Sequence, residues 1–564
     1  MATISFKGKS IIQNYHLGVK YHELIPVKTK SLTSKVSLKD NLIIHGDNLK
    51  ALKALLPTYA GKIKCIYIDP PYNTGNEDWV YNDNVNSPMM QEWLGKVVDK
   101  EDLTRHDKWL CMMMPRLKLL RELLADDGVI FISIDDNELD NLRLLMNECF
   151  DEQHFVACIT AQLNPRGRTL DRFLAKTHEY ILLYAKNITN DNAINSLPKE
   201  GTLLATYNRK DELGIYRELE LRNRNPVFNR ENRPNLYYPI YVNPKNNAVS
   251  LTKVKDFSIE VVPRNSRDVD GCWTWGKGKV SENLSRLIAK KTSGGKWRIF
   301  RKDYLYDEQG KGAVTKAKAL WLEPEINNEN GKEACNEIFQ KCPFDFPKSV
   351  ELVKKCLKLG SNPGDLVLDS FAGSGTTAHA VLDLNNEDGG NRKFILVECE
   401  DYANEITAER VRRVIKGVPN ARDERLKAGL GGSFSYFELG EPIEMESILE
   451  GRRLPSYLDL ARYVFYTATG EEFLPEEVDE DRHFIGESKE YEVYLFYKPD
   501  LDYLKSTALT LEVAKTLGDY TGKKKLVFAP TKYLDLNDSE LLAKHGLKDI
   551  QYCQLPFEIY RLKE

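Results

Sequence analysis

The sequence predicts an α/β protein built on a doubly wound, mostly parallel sheet. Short apolar runs of strand length alternate with helix-length segments from residue 41, and the same alternation returns near residue 344. Two of those runs end on an aspartate, Asp69 and Asp369, and each is followed at once by a turn that ends the strand. Between the two blocks lies a long basic stretch of different texture. At 564 residues and 42% apolar content, the chain has material for roughly two to four globular domains. The net charge of −4 selects no partner class by itself. The ten cysteines include no CxxC pair and no Cys/His cluster at zinc spacing. No metal is therefore expected, and a reducing, cytoplasmic setting with buried thiols is. No leader-like apolar segment and no run of 18 apolar residues occurs, so no membrane partner is expected.

Residues 1–40 are basic and weakly patterned, and read as an extended N-terminal arm. Gly8-Lys9-Ser10 invites a phosphate-loop reading, but Thr3 stands where the first glycine is required. Asn41 to Asp47 reads as a strand closing on Gly46-Asp47, and Asn48 to Leu56 as a helix with leucines on one face. Cys65 to Ile68 is a short buried strand, followed by Asp69-Pro70-Pro71-Tyr72. Neither proline has an N–H for a sheet ladder, so the chain must leave at the strand's carboxyl end. Open α/β sheets bind their ligands at that edge. Residues 107–126 read as an amphipathic helix, Val129 to Ile134 as a buried strand, Asp135 to Phe150 as a helix and Tyr180 to Tyr184 as a further strand.

From 161 to 320 the chain holds 30 lysines and arginines against 17 acidic residues, a net of +13. Aromatics are interleaved at Tyr216, Tyr237, Tyr238, Trp273, Trp275 and Trp297. Phosphate contacts and base stacking need those residue types. A solvated irregular domain that happens to be basic has the same composition.

The α/β texture resumes with a helix over Ser349 to Leu359, ended by Gly360. Leu366-Val367-Leu368-Asp369-Ser370-Phe371-Ala372-Gly373-Ser374-Gly375-Thr376-Thr377 reads as strand, tight glycine turn and helix start. Gly373 and Gly375 supply G-x-G, but the third glycine of the dinucleotide fingerprint and the lysine of a Walker A loop are both missing. Phe394 to Glu398 is the next strand, and Asp401 to Lys416 the next helix. A glycine turn followed by an acidic strand end implies an adenosine-containing ligand, with Glu398 on its ribose diol. A purely structural βα turn is the alternative. Beyond 440 come an acidic stretch at 471–481, β-rich segments at 491–497 and 525–529, and a helix at 509–517.

The set at 69–72 suits an aromatic amine. The lone pair of an exocyclic base amine is delocalised into its ring, which makes it a poor nucleophile. A carboxylate and a backbone carbonyl can accept both N–H bonds and favour a pyramidal nitrogen, while Tyr72 can stack on the base. Taken alone, the four residues also fit a Pro-Pro turn whose aspartate caps a helix.

Together these residues resemble the amino-methyltransferases that methylate DNA with S-adenosyl-L-methionine. Catalytic motif first, basic insertion next and cofactor loop last is the order of the β class. The stretch Tyr67 to Asn84, with GGSFSYFEL at 431–439 and the tail LVFAPTKYLD…YCQLPFEIYRL, resembles the modification subunit of type III restriction systems. The resemblance implies a Rossmann-like methyltransferase sheet, with Asp69, Pro70, Pro71 and Tyr72 holding a flipped base. It implies a cofactor site of Asp369, Phe371, Gly373, Gly375 and Thr376, with Glu398 on the ribose and Asp47 near the adenine. Lys348 stands where the family has a Lys-Pro motif near the methionine end, although Ser349 replaces the usual proline. Ser370 replaces the usual proline after the cofactor-loop aspartate. The implied domains are an arm at 1–40, methyltransferase halves at 41–160 and 341–439, a target-recognition region at 161–340 and a C-terminal association domain at 440–564. The strand at 180–184 is expected to remain in the methyltransferase sheet.

The expected activity is adenine-N6 methylation of double-stranded DNA, since D-P-P-Y members usually modify adenine, and no Pro-Cys dipeptide provides a cytosine-C5 nucleophile. The expected partners are a second copy, in a homodimer, and a restriction subunit carrying helicase and nuclease functions. No complete Walker A loop is present, so an ATP-driven step would belong to that other subunit. A solitary enzyme, a cytosine-N4 or RNA methyltransferase, and a non-catalytic recognition subunit remain the alternatives.

Overall fold

The computed structural model describes residues 3–74, 104–167, 173–199, 201–265, 267–306, 312–443, 454–536 and 538–555. Residues 75–84 of the motif stretch and the tail after 555 lie outside the described residues. The chain divides into two compact units, Met1–Asn195 with Lys318–Glu564, and Ser196–Ala317.

In the first unit, chain order runs β1 (His22–Pro26), β2 (Leu42–His45), α1 (Asn48–Tyr59), β3 (Ile63–Ile68), α2 (Arg105–Leu123), β4 (Leu124–Ile134), α3 (Leu139–Phe150), β5 (Phe155–Ala161) and β6 (Glu179–Ala185). It resumes with β7 (Leu320–Trp321), α4 (Asn328–Phe339), α5 (Val350–Gly360), β8 (Leu366–Asp369), α6 (Thr376–Asp388), β9 (Lys393–Glu398), α7 (Glu409–Lys416) and β10 (Ser435–Pro442). The ten strands form one sheet in the order β1-β10-β2-β9-β8-β3-β4-β6-β5-β7. The run from β10 to β4 is parallel throughout. β6 is antiparallel to both β4 and β5.

All six residues of β3 are buried, because helices cover both faces of the sheet. The period of two sorts its neighbours. Ile66, Ile68, Ile130 and Ile132 join the core formed with α1, α2 and α3. Cys65, Val129 and Phe131 point the other way, at α5. There Gly360 acts differently from the expected helix stop. It is the last helical residue, and a Cβ on it would lie 2.7 Å from the Cys65 Sγ and 2.8 Å from the Phe131 ring. Close approach to the sheet explains this glycine.

The first 40 residues are not merely an arm. Ile4 and Ile12 are buried in the core, and β1 pairs antiparallel with β10 at the sheet edge. The partner strand of β1 lies some 400 residues downstream, which local patterning cannot reveal. The expected helix over 401–416 is a 3₁₀ turn (Asp401–Ala403), a π turn (Asn404–Ala408) and then α7.

Residues 454–555 contribute α8 (Tyr457–Thr469) and a four-stranded sheet of β11 (Phe484–Glu487), β12 (Tyr491–Leu495), β13 (Lys524–Ala529) and β14 (Ile550–Gln554). This layer docks on α1 and its flanks. Phe473 N–H donates to the Pro57 carbonyl at 3.2 Å, and the Tyr21 ring lies 4.6 Å from that of Tyr463. Glu476 pairs with Lys39 at 2.8 Å and Glu472 with Lys62, so part of the acidic stretch is used inside the molecule. The expected helix at 509–517 is shorter, Leu511–Lys515.

The second unit holds an antiparallel sheet of Leu287–Lys291, Trp297–Tyr304, Gly214–Glu220 and Arg209–Asp211. Its core includes Leu221, Tyr238, Ile240, Val242, Trp273 and Ile299. Tyr216, Tyr238 and Trp273, expected among the interleaved aromatics, are therefore buried packing residues. The charge excess persists, with 24 lysines and arginines against 14 acidic residues within 196–317.

Candidate active site

The topology makes a crevice between β8 and β3. From β3 the chain continues to β4 on one side, whereas from β8 it continues to β9 on the other, so the strand order reverses there. Glu398 ends β9, Asp369 ends β8, and Asp69 follows β3. The three carboxylates thus stand side by side at one sheet edge. A fourth arrives from the opposite direction. Glu179 opens antiparallel β6, whose next residue, Tyr180, pairs with Ile134 at the end of β4.

These groups surround a cavity of about 580 Å³. Of the residues singled out in the sequence, Asp69, Pro70, Pro71, Tyr72, Lys348, Asp369, Phe371, Gly373, Thr376 and Glu398 line it. Gly375 is the left-handed N-cap of α6. Asp47 is not in the lining. It caps α1 by accepting the Lys50 N–H at 3.0 Å, and it lies 3.5 Å from Arg116. Its neighbour Asn48 does reach the loop, donating to the Ser370 carbonyl at 2.9 Å.

On the base-holding side, Trp109 of α2 donates its Nε1–H to the Pro71 carbonyl at 2.7 Å. Asn73 adopts a left-handed backbone, φ 57°, and bonds to buried Glu138. The turn is thereby fixed from behind. With Pro71 engaged, the Pro70 carbonyl is the acceptor without a donor among the described residues. Tyr72 places its hydroxyl 2.8 Å from Asp69 Oδ1 and 2.9 Å from Glu179 Oε2. Lys348 Nζ lies 2.8 Å from Glu179 Oε2, 2.6 Å from the Tyr72 hydroxyl and 3.4 Å from Asp69 Oδ1. Desolvation raises the Asp69 carboxyl above its usual value against the pull of Lys348. In Glu179, burial also pushes upward, but the Lys348 ammonium and the hydrogen bonds prevail and hold it below the usual range.

On the loop side, Gly373 and Gly375 have φ of 50° and 80°. A Cβ on Gly373 would sit 3.2 Å from the Phe344 ring, and one on Gly375 3.0 Å from the Thr407 carbonyl oxygen. The π turn brings Thr407 there, and its hydroxyl donates to the Gly373 carbonyl at 2.6 Å. Buried Arg410 donates to both Ser374 Oγ and Thr376 Oγ1 at 2.8 Å. Glu398 accepts N–H bonds from Gly373 at 2.6 Å, Cys399 at 2.9 Å and Glu400 at 3.1 Å, yet burial pushes it up to about 7. Asp369, bonded to Thr377 Oγ1 at 2.6 Å, is likewise raised by burial to about 7. Phe344 and Tyr402 meet edge to face at 5.8 Å over the same cavity. A glycine cradle, a cavity-facing buried carboxylate and aromatic walls fit a nucleoside bearing a free diol, as in the S-adenosylmethionine that the sequence resemblance implies.

Sequence reasoning missed Glu179, Tyr67, Asn328 and Tyr402 as lining residues. Glu179 did leave a trace, as the one acid opening an otherwise apolar strand. It also missed a pairing of thiols. Cys335 and Cys342 form a disulfide where the chain reverses after α4 through left-handed Gln340.

A family model described as DNA methylase, of the N6/N4 type, matches residues 63–409. The EcoPI Mod subunit of a type III restriction-modification enzyme from Escherichia phage P1 is 32% identical over 451 residues, 75% of this chain and 69% of that protein. The type II methyltransferase M.KpnI of Klebsiella pneumoniae is 33% identical over 370 residues, 65% of this chain and 82% of that protein. A solved M1.HpyAVI–SAM complex matches 66% of this chain and 98% of its own at 16% identity with a TM-score of 0.28, too loose to add to these findings.

Proposed function

The chain belongs to the N6/N4 DNA methylase family, and from that premise we propose that it is an adenine-specific DNA methyltransferase that uses S-adenosylmethionine, its residues dividing the reaction as follows. The carrying observation is that the D-P-P-Y turn and the glycine loop leave neighbouring strands into one cavity. The target adenine is extruded from the duplex, because a stacked base cannot enter such a pocket. Asp69 and the Pro70 carbonyl accept the two N6–H bonds, and the Tyr72 ring supports the base. Glu398 receives the ribose hydroxyls, and the Gly373–Gly375 turn lets the backbone approach the ligand. The bound cofactor supplies an electrophilic sulfonium methyl group. The protein's part is positioning and electrostatics, with no covalent enzyme intermediate.

In this reading residues 196–317 contact the DNA, their cationic excess meeting phosphate. The similarity to type III Mod subunits supports a modification subunit that dimerises and docks a restriction subunit, working in the cytoplasm where chromosomal DNA lies. Among the described residues, no helix is long and apolar enough to cross a membrane.

Modified-base sequencing of genomic DNA from a host expressing the chain tests the activity. The expected result is N6-methyladenine in one short sequence, lost in Asp69→Ala by a factor of about 10²–10³ or more in rate while cofactor binding persists. N4-methylcytosine as the product, or near-normal turnover in Asp69→Ala, would overturn the assignment.

A further inference from the structure

Lys348 sits where the base is to go. Its ammonium lies 3.4 Å from the Asp69 carboxylate and 4.7 Å from the centroid of the Tyr72 ring. It thus covers the amine's acceptor and a face of the stacking ring together. The Tyr72 hydroxyl has a single proton, and it can go to Asp69 or to Glu179 but not to both. Asp69 is therefore encumbered by two donors that the incoming N6 amine must displace.

Glu179 is the second acceptor for both donors. Its Oε2 is 2.8 Å from Lys348 Nζ and 2.9 Å from the Tyr72 oxygen. Its Oε1 takes the Asn328 amide at 3.3 Å, so the carboxylate is held from the start of α4 as well as by β6. The side chains of Glu179 and Lys348 are 17% and 11% exposed, and an ion pair so enclosed is little screened by water.

We propose that Glu179 is a positioning residue of the methyl transfer: it draws the Lys348 ammonium and the Tyr72 hydroxyl to itself, and so frees Asp69 for the target amine. This rests on the reading of Asp69 as the amine's acceptor. The charge balance explains why two carboxylates are needed. Glu179 and Lys348 cancel, which leaves the Asp69 charge facing N6 as that nitrogen becomes cationic during transfer. With Glu179 neutral, Lys348 would cancel Asp69 instead. The base would then meet a compensated carboxylate and a covered ring.

The test uses the full-length enzyme with Glu179→Gln, which preserves shape and removes the charge. Calorimetry reports cofactor binding, and 2-aminopurine at the target position reports extrusion of the base. Single-turnover methylation reports the chemical step. Cofactor affinity is expected within about twofold of wild type, with the 2-aminopurine signal reduced and the transfer rate down at least about tenfold. The decisive comparison is made in a Lys348→Met background, where adding Glu179→Gln should cost far less than it does in the wild type, because only the Tyr72 hydroxyl remains to be drawn off Asp69. Losses that multiply across the two substitutions would mean a structural role and overturn the proposal. So would a Glu179→Gln enzyme with wild-type rate and extrusion. Should Glu179→Gln fail to bind cofactor, Glu179→Asp, which keeps the charge, must restore transfer, and failure of that rescue overturns the proposal too. Near-normal turnover in Asp69→Ala would instead remove the underlying reading.

Discussion

Asp369 and Glu398 are buried carboxylates bonded to N–H and hydroxyl groups, and desolvation pushes both up to about 7. For Glu398 the folded value lies above the ordinary 4.5, so the folded protein holds the proton more tightly than the unfolded chain. Its contribution to stability is complete below pH 4.5 and is lost as the pH rises through about 7. The ligand-free enzyme should therefore melt at a lower temperature at pH 8 than at pH 6 as far as this group is concerned, and Glu398→Gln should flatten that difference. Ligand binding should run the other way. Ribose hydroxyls donate best to an ionised carboxylate, so cofactor affinity should rise between pH 6 and 8, by up to about tenfold per pH unit below the pKa. Titration calorimetry in buffers of different ionisation enthalpy would detect the linked proton release. Affinity independent of pH in wild type and Glu398→Gln alike would separate Glu398 from the ribose.

Strands of the central sheet were legible because burial on both faces writes them as unbroken apolar runs, and the terminal aspartates marked the working edge. Direction was not legible. An apolar run reads the same whether its strand is parallel or antiparallel, so nothing local revealed that β6 would bring Glu179 to the edge that β3 and β8 reach from the other end. The π turn was hidden for a related reason, since it is organised by the bond from Thr407 to Gly373, 34 residues away. At Gly360 the pattern was visible and its cause was not. The helix lies so near β3 and β4 that Gly360→Ala should overpack the interface and cost about 1–3 kcal/mol, seen as a fall in melting temperature. An unchanged or higher melting temperature would show that α5 can shift to admit a methyl group.

At the scale of the whole molecule, residues 454–555 are bound to the methyltransferase core through Phe473, Glu472 and Glu476. Deleting residues 440–564 would uncover α1, so a loss of dimer in such a deletion would be confounded by instability. Light scattering of the intact chain is the cleaner measurement. A monomer near 65 kDa at micromolar concentration, fully active on DNA, would dispose of the homodimer. Exchanging Ser196–Ala317 for the corresponding segment of a relative should move the methylated sequence while adenine N6 stays the product. Retention of the original sequence would put specificity elsewhere. The ends of that segment have a further consequence. Leu197–Pro198 and Val314–Thr315 pair antiparallel, so the unit begins and ends on one two-stranded clasp. A gene rearrangement with breakpoints outside the clasp would inherit the insert already closed, while one cutting between its strands would have to restore their register. With this unit reading the DNA, as proposed above, a lineage could rewrite which DNA it marks by a single recombination event, leaving the codons for the chemistry under their old selection.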